Sequence, residues 1–208
     1  MAEVDSPTED DTGKVDGRRA RRERNRLAVV DAVLELFGEE MLVPTIEMAA
    51  ERSGLSLRSV YRYFPDAEAL LHATIERQWE LSGPLGHLEA IGEGPLDDRI
   101  EAFVAMRVRL FEFIGPVYRS TLHHESQHAS IREDLDRSRR EFTAQFERQF
   151  APELEARSAA DRRRVVAVAD TLTQLESYDL LRRYRRLTPA EAGEVLEQGL
   201  HAVLGSDR

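Results

Sequence analysis

"SGLSLRSVYRYF", residues 53–64, decides the fold. It follows the short helical stretch "IEMAAERS", and Ser56 stands where an N-cap would receive the backbone N–H groups of a new helix. Two short helices joined at Gly54, with a preceding helix packed across them, make a tri-helical helix-turn-helix. Ala50 is small where two helices cross, Gly54 can take the positive φ of a tight turn, and Val60 fits the angle between the helices. On a wheel of about 100° per residue, Val60 and Phe64 share one side and Arg58 and Arg62 the other. Leu57 and Tyr61 flank the arginines on one edge, Ser59 on the other. A packed back and a basic, hydrogen-bonding front suit a DNA major groove, where arginine pairs with guanine and hydroxyls reach phosphates.

Outward from this stretch the pattern stays helical. Leu27, Val30, Leu34 and Phe37 recur at three- and four-residue steps and predict a first helix stopping near Gly38. Thr45 is the expected cap of the second helix, with Pro65 halting the third. Asp66 caps a fourth helix that carries Leu70, Leu71, Ile75 and Trp79. Ahead of the first helix lies "RRARRERNR", residues 18–26, six arginines against Glu23. From it, Arg18, Arg19, Arg21 and Arg22 are expected to contact phosphates or enter the neighbouring minor groove. Residues 1–17 hold acidic side chains against Lys14 and read as a disordered acidic tail.

The glycines and prolines of "SGPLGHLEAIGEGPL" mark a linker, so a helix-turn-helix domain is expected over 18–80 and a second domain over 81–208. Ile100, Phe103, Val104, Phe111 and Ile114 form one helix face, predicted to end at Gly115-Pro116, with a shorter helix behind. A long helix carries Leu135, Phe142, Phe146 and Phe150, and the next carries Val165, Val168, Ala169, Leu172 and Leu175, with a kink near Ser177. Thr188-Pro189 opens the last helix, whose apolar face holds Ala192, Val195, Leu196, Gly199, Leu200 and Val203. No strand pattern occurs, and the predicted class is all-α.

The chain has 208 residues, 41% of them hydrophobic and 33% charged, and no cysteine, which excludes disulfides and thiolate chemistry. No apolar run approaches the ~18–20 residues of a membrane span. The first residues lack the regions of a signal peptide, so a cytoplasmic protein without membrane contact is expected. Lys14 is the only lysine among 29 basic residues, so arginine abundance by itself says little. The net charge of −10 argues against binding nucleic acid over the whole surface and makes the local basic run the informative feature.

"TIEMAAERSGLSLRSVYRYFPDAEALL", Thr45 to Leu71, resembles the DNA-binding segment of the TetR family of bacterial transcriptional regulators. Ser53, Gly54, Leu55, Ser56, Ser59, Tyr61, Tyr63 and Phe64 fit the family's pattern in order. The resemblance implies an N-terminal helix-turn-helix domain and a C-terminal helical bundle that binds a small-molecule effector and forms a homodimer through its last helices. It implies that Ser59 and Tyr61 contact phosphates, that Leu57, Arg58 and Arg62 read bases, that Thr45 caps its helix near the DNA backbone, and that Tyr63 positions its neighbours. The implied partner is a near-palindromic double-stranded operator, and the implied action is repression relieved by a hydrophobic effector, with no cofactor. The hinge would lie where the fourth helix, with Trp79, leaves the first domain. Two positions depart from the family: Ala67 stands where a lysine usually contacts DNA, and Ala49 replaces a branched aliphatic residue.

Side chains expected to face the middle of the second domain are Phe103, Met106, Phe111, Tyr118, Phe142, Phe146, Leu172 and Thr173, which would suit an apolar or aromatic ligand. In "HHESQH", His124 and His128 are four residues apart, with His123 and Glu125 beside them, a spacing that can hold a metal but that also fits a polar bend. Two rival readings stay open: a metal-dependent hydrolase built on these histidines, and a constitutive DNA-binding dimer without an effector. No nucleophile elbow, phosphate loop or paired-carboxylate motif supports the first.

Overall fold

The computed structural model describes residues 9–39, 44–126 and 128–205. Every element among them is helical: α1 (Glu9–Gly38), α2 (Ile46–Ser53), α3 (Leu57–Tyr63), α4 (Ala67–Ser82), α5 (Leu96–His124), α6 (Ala129–Gln149), α7 (Ala151–Glu155), α8 (Ala159–Thr173), α9 (Leu175–Asp179), a π-helical turn (Leu180–Tyr184) and α10 (Pro189–Leu204). The chain divides into two compact units between Arg77 and Gln78, inside α4 and three residues before the expected boundary.

In the first unit the expected caps are in place. The Thr45 hydroxyl accepts from Met48 N at 3.2 Å, Ser56 Oγ accepts from Ser59 N at 3.3 Å, and Asp66 Oδ1 accepts from Ala69 N at 2.8 Å. Gly54 has φ 69°, and beyond it Leu55 N donates back to Ala50 O at 3.2 Å, the 6→1 bond of a Schellman turn. A side chain at Gly54 meets open space but must sit in the left-handed region. Gly54→Ala is therefore expected to cost about 1–2 kcal/mol, and Gly54→Asn less, because asparagine visits that region more readily. Urea unfolding followed by circular dichroism reads both, and equal stability of all three proteins would show that the turn carries no strain.

Val60 and Phe64 are buried as predicted, along with Ala49 and Ala50. The α1 core face is rotated from its prediction. Val29, Val30, Val33, Leu36 and Phe37 are buried, whereas Leu27 and Leu34 are half-buried. Polar clamps supplement the core: Arg52 reaches both carboxylate oxygens of Glu39 at 2.9 Å, and Arg77 Nε meets Asp31 at 3.2 Å.

The disorder expected over residues 1–17 is overturned at residues 9–17. Residues 1–8 lie outside the described residues, while 9–17 continue α1. Propagating an existing helix costs far less than nucleating one, so a polar segment joined to a packed helix can remain helical without a core of its own.

In the second unit α5 packs against α6, α9 and α10, and α8 packs against α6, α9 and α10. The predicted stop at Gly115-Pro116 is overturned: α5 runs through Pro116 to His124. Proline resists an α-helical neighbour largely through that neighbour's Cβ, which Gly115 lacks, and burial of Ile114, Val117 and Tyr118 holds the backbone on both sides. The break expected near Ser177 falls earlier, at Gln174, which is extended (ψ 158°). Thr188 opens α10 with a complete capping box: Glu191 N donates to Thr188 Oγ1 at 3.2 Å, and Thr188 N to Glu191 Oε2 at 2.7 Å. Hydrogen bonds from the Thr188 backbone N–H and then its hydroxyl hold the Glu191 carboxyl below its ordinary pKa.

Candidate nucleic-acid interface

The candidate surface is that of α3, seven residues fixed by the Ser56 cap in front and the Val60–Phe64 anchor behind. That anchoring turns Leu57, Arg58, Tyr61 and Arg62 outward. Leu57 and Tyr61, one helical turn apart, are 40% and 45% exposed. Among the described residues Arg58 forms no ion pair or hydrogen bond, so its guanidinium is available to an external acceptor. Arg62 is held: its Nη2 donates to the Tyr63 hydroxyl at 3.2 Å, and its guanidinium lies 5.2 Å from the Tyr63 ring centre. Hydrogen bonds from Arg62 and then Asn25 lower the Tyr63 phenol pKa. Tyr63 thus sits where it positions Arg62, and Asn25 is a partner that sequence reasoning missed. The Ser59 hydroxyl lies 2.9 Å from that of Ser56.

Arg18, Arg19, Arg21 and Arg22 are exposed in the first half of α1. A helix of about 10–12 Å diameter does not itself enter a groove about 6 Å wide, so on this backbone any contact with DNA would be made by the arginine side chains alone. Arg26, from the same run, faces inward, 5.5 Å from the Phe64 ring centre and 3.6 Å from Glu23.

The predicted effector-facing residues separate into two groups. Phe103, Met106, Phe111, Tyr118, Phe142 and Phe146 are buried in one cluster, with Phe111 and Phe142 edge-to-face at 5.4 Å and Phe103 and Phe146 at 6.0 Å. Leu172 is half-buried and lies against Gly199 of α10, where an added Cβ would approach its Cδ1 to 3.2 Å. Thr173 bonds back to Ala169 O of its own helix at 2.9 Å. Phe150, 5.3 Å from Phe103, joins the cluster from the predicted α6 face, and sequence reasoning missed two more neighbours: Tyr178, 5.6 Å from Phe111, and Arg107, 4.7 Å from Phe103. Tyr178 donates to Glu112 at 2.8 Å, and burial followed by that carboxylate raises its phenol pKa. Tyr118 donates to Glu176 at 2.9 Å, and Arg139 completes that network at 2.9 Å.

His124 ends α5 and His128 caps α6, so the two do not share one helix as their spacing implied. Their ring centres lie 5.9 Å apart, and those of His123 and His124 5.3 Å apart. Burial, then the two neighbouring imidazoles, lowers the pKa of His124. Among the described residues no group of three or more His, Asp or Glu side chains is placed to hold a metal ion. No helix among them is long and apolar enough to cross a membrane.

The arrangement of α1 to α3 is a helix-turn-helix with an outward basic face, followed in the chain by a separate helical unit. The crystal structure of a TetR-family transcriptional regulator from Streptomyces coelicolor has the same fold, with a TM-score of 0.69 and 22% identity over 87% of this chain and 80% of that one. No protein-family model matches the chain, and no curated protein sequence does. The likeness is one of fold.

Proposed function

We propose that this protein is a TetR-family transcriptional regulator: a homodimer that binds a near-palindromic operator through α3 and is released, as a repressor, by a small apolar effector held in the 78–205 unit. The observation that carries the reading is the outward face of α3, where Leu57, Arg58, Tyr61 and Arg62 are all exposed while Val60 and Phe64 anchor the helix. Arg58 and Arg62 are the base readers, Ser59 and Tyr61 the phosphate contacts, and Thr45 fixes the start of α2 near the backbone.

Two further features support the assignment. The apolar face of α10 divides: Ala192, Leu196 and Leu200 are buried within the subunit, whereas Val195 is 43% exposed and Val168 of α8 is 49% exposed. A second copy covering that remainder is the homodimer, and two-fold symmetry matches two half-sites one DNA turn apart. The aromatic cluster of the second unit gives an apolar effector its surroundings. An effector that weakens DNA binding a hundredfold must favour the released state by about 2.7 kcal/mol.

The test is enrichment of duplexes from a random library by the purified protein at one fixed, moderate salt concentration. Recovery of a near-palindrome is expected, and failure of a folded protein to enrich any sequence would overturn the reading. Arg58→Ala is expected to relax preference at one base step of each half-site, with a loss of about 1–3 kcal/mol there. Equal losses on every sequence would remove Arg58 as a base reader.

A further inference from the structure

Two arginines are buried on α5, eight residues apart, and the protein treats them differently. Arg99 donates to Gly94 O at 3.1 Å, to Gln149 O at 2.9 Å and to Glu153 at 2.8 Å, so charge and donors are both satisfied. Arg107 is fully buried, with 0% exposure, among three rings: its guanidinium lies 4.7 Å from the ring centre of Phe103, 4.8 Å from Phe142 and 5.6 Å from Phe111. One donor is used, Nη2 to Phe142 O at 2.7 Å. Among the described residues Nε and Nη1 have no hydrogen-bond partner and Arg107 forms no ion pair. Asp170 acts on it only through space, its Oδ1 accepting from Thr143 at 2.8 Å and from Gln174 at 2.7 Å.

Ring faces attract a cation but accept none of its in-plane N–H bonds. Burial pushes the guanidinium pKa down to about 9 against the opposing field of Asp170, which still leaves a cation at neutral pH. A methionine or leucine would fill this position without stranding a charge, and replacing buried ions by apolar residues is often neutral or stabilising. An unpaired cation inside an aromatic core is what a site for an apolar anion requires: a charge to receive the acid group, donors free to bond it, and rings to cover the rest.

We propose that Arg107 is the anchor of the effector site and that the effector is a small organic acid. Its carboxylate accepts from the donors that Arg107 leaves unpaired, and its aromatic or alkyl body lies against Phe103, Phe111 and Phe142. This rests on the reading of the 78–205 unit as the effector-binding half, and adds to it the chemical class of the ligand.

The test is calorimetric titration of the full-length protein with matched pairs: 4-phenylbutyrate against 4-phenylbutan-1-ol, and decanoate against decan-1-ol. Wild type is expected to bind at least one acid about tenfold or more tighter than its alcohol, in line with hydrogen bonds to a charged group. Arg107→Met is expected to lose that preference, to bind the alcohols as wild type does, and to unfold without ligand at no lower temperature. Should Arg107→Met not fold, Arg107→Lys, which keeps the charge, is expected to prefer the acid more weakly than wild type does. Equal affinity of wild type for acid and alcohol, no binding of either acid, or an acid preference that survives in Arg107→Met overturns the assignment. Acid bound through Arg107 without change in operator affinity would uphold the anion site and sink effector release. Operator selection without acid binding would do the reverse.

Discussion

Replacing Arg99 with alanine is expected to destabilise the 78–205 unit by about 3–5 kcal/mol, the range for breaking a buried ion pair from one side. The Arg99 side chain joins three chain segments: the loop at Gly94, the end of α6 at Gln149, and Glu153 on α7. Its guanidinium also lies 5.8 Å from the Phe150 ring centre, at the junction of α6 and α7. Truncation would strand the carbonyls of Gly94 and Gln149, remove the counter-charge of a largely buried Glu153, and open a cavity beneath Phe150. Each stranded group costs its own desolvation, so the loss exceeds that of any one hydrogen bond. Glu153→Gln, which keeps a neutral acceptor near Arg99, is expected to lose less than Arg99→Ala. Urea denaturation followed by circular dichroism gives both differences. A loss below about 1 kcal/mol for Arg99→Ala would mean that water replaces the whole network. Set beside Arg107→Met, which is expected to cost nothing, the pair tests whether these two buried arginines serve different ends.

The contrast between the two arginines also marks where sequence reasoning stops. Local chemistry was legible: Thr45, Gly54, Ser56, Asp66 and Thr188 each do what their backbone chemistry predicts, because caps and turns depend on residues within three or four positions. The outward side of α3 was legible for a related reason, since seven helical residues with Val60 behind can expose only one side. Pro116 misled because whether a proline breaks a helix depends on Gly115 before it and on what buries the flanks. A break was expected near Ser177 and lies three residues earlier, at Gln174, so its presence was legible and its position was not. The burial of Arg107 was invisible because an arginine in an apolar stripe reads as a solvated charge until α6 brings Phe142 against it. One trace existed: Phe103, Arg107 and Phe111 are spaced by four, which puts a charge in the middle of a core face.

Replacing Arg18, Arg19, Arg21 and Arg22 together with alanine is expected to weaken binding to every duplex alike and to lower the slope of log affinity against log salt by about three to four. The argument is counter-ion release: each phosphate neutralised contributes about 0.9 to that slope on duplex DNA. The arm matters more here than in a chain with a basic first unit. Residues 17–80 carry near-equal numbers of acidic and basic side chains, and Ala67 offers no cation at the start of α4. Arg26 is spent on Phe64 and Glu23 and Arg52 on Glu39, so the exposed arginines of α1 hold much of the uncommitted positive charge. Affinity should fall by roughly a hundredfold at moderate salt if those four charges meet phosphates. The ranking of sequences should stay as in wild type, the opposite of Arg58→Ala, which should change the ranking and leave the slope nearly unchanged. Fluorescence anisotropy across a salt series, on the selected operator and on an unrelated duplex, separates the two. An unchanged slope in the fourfold variant would place α1 away from the phosphates and leave α3 as the source of affinity as well as of specificity.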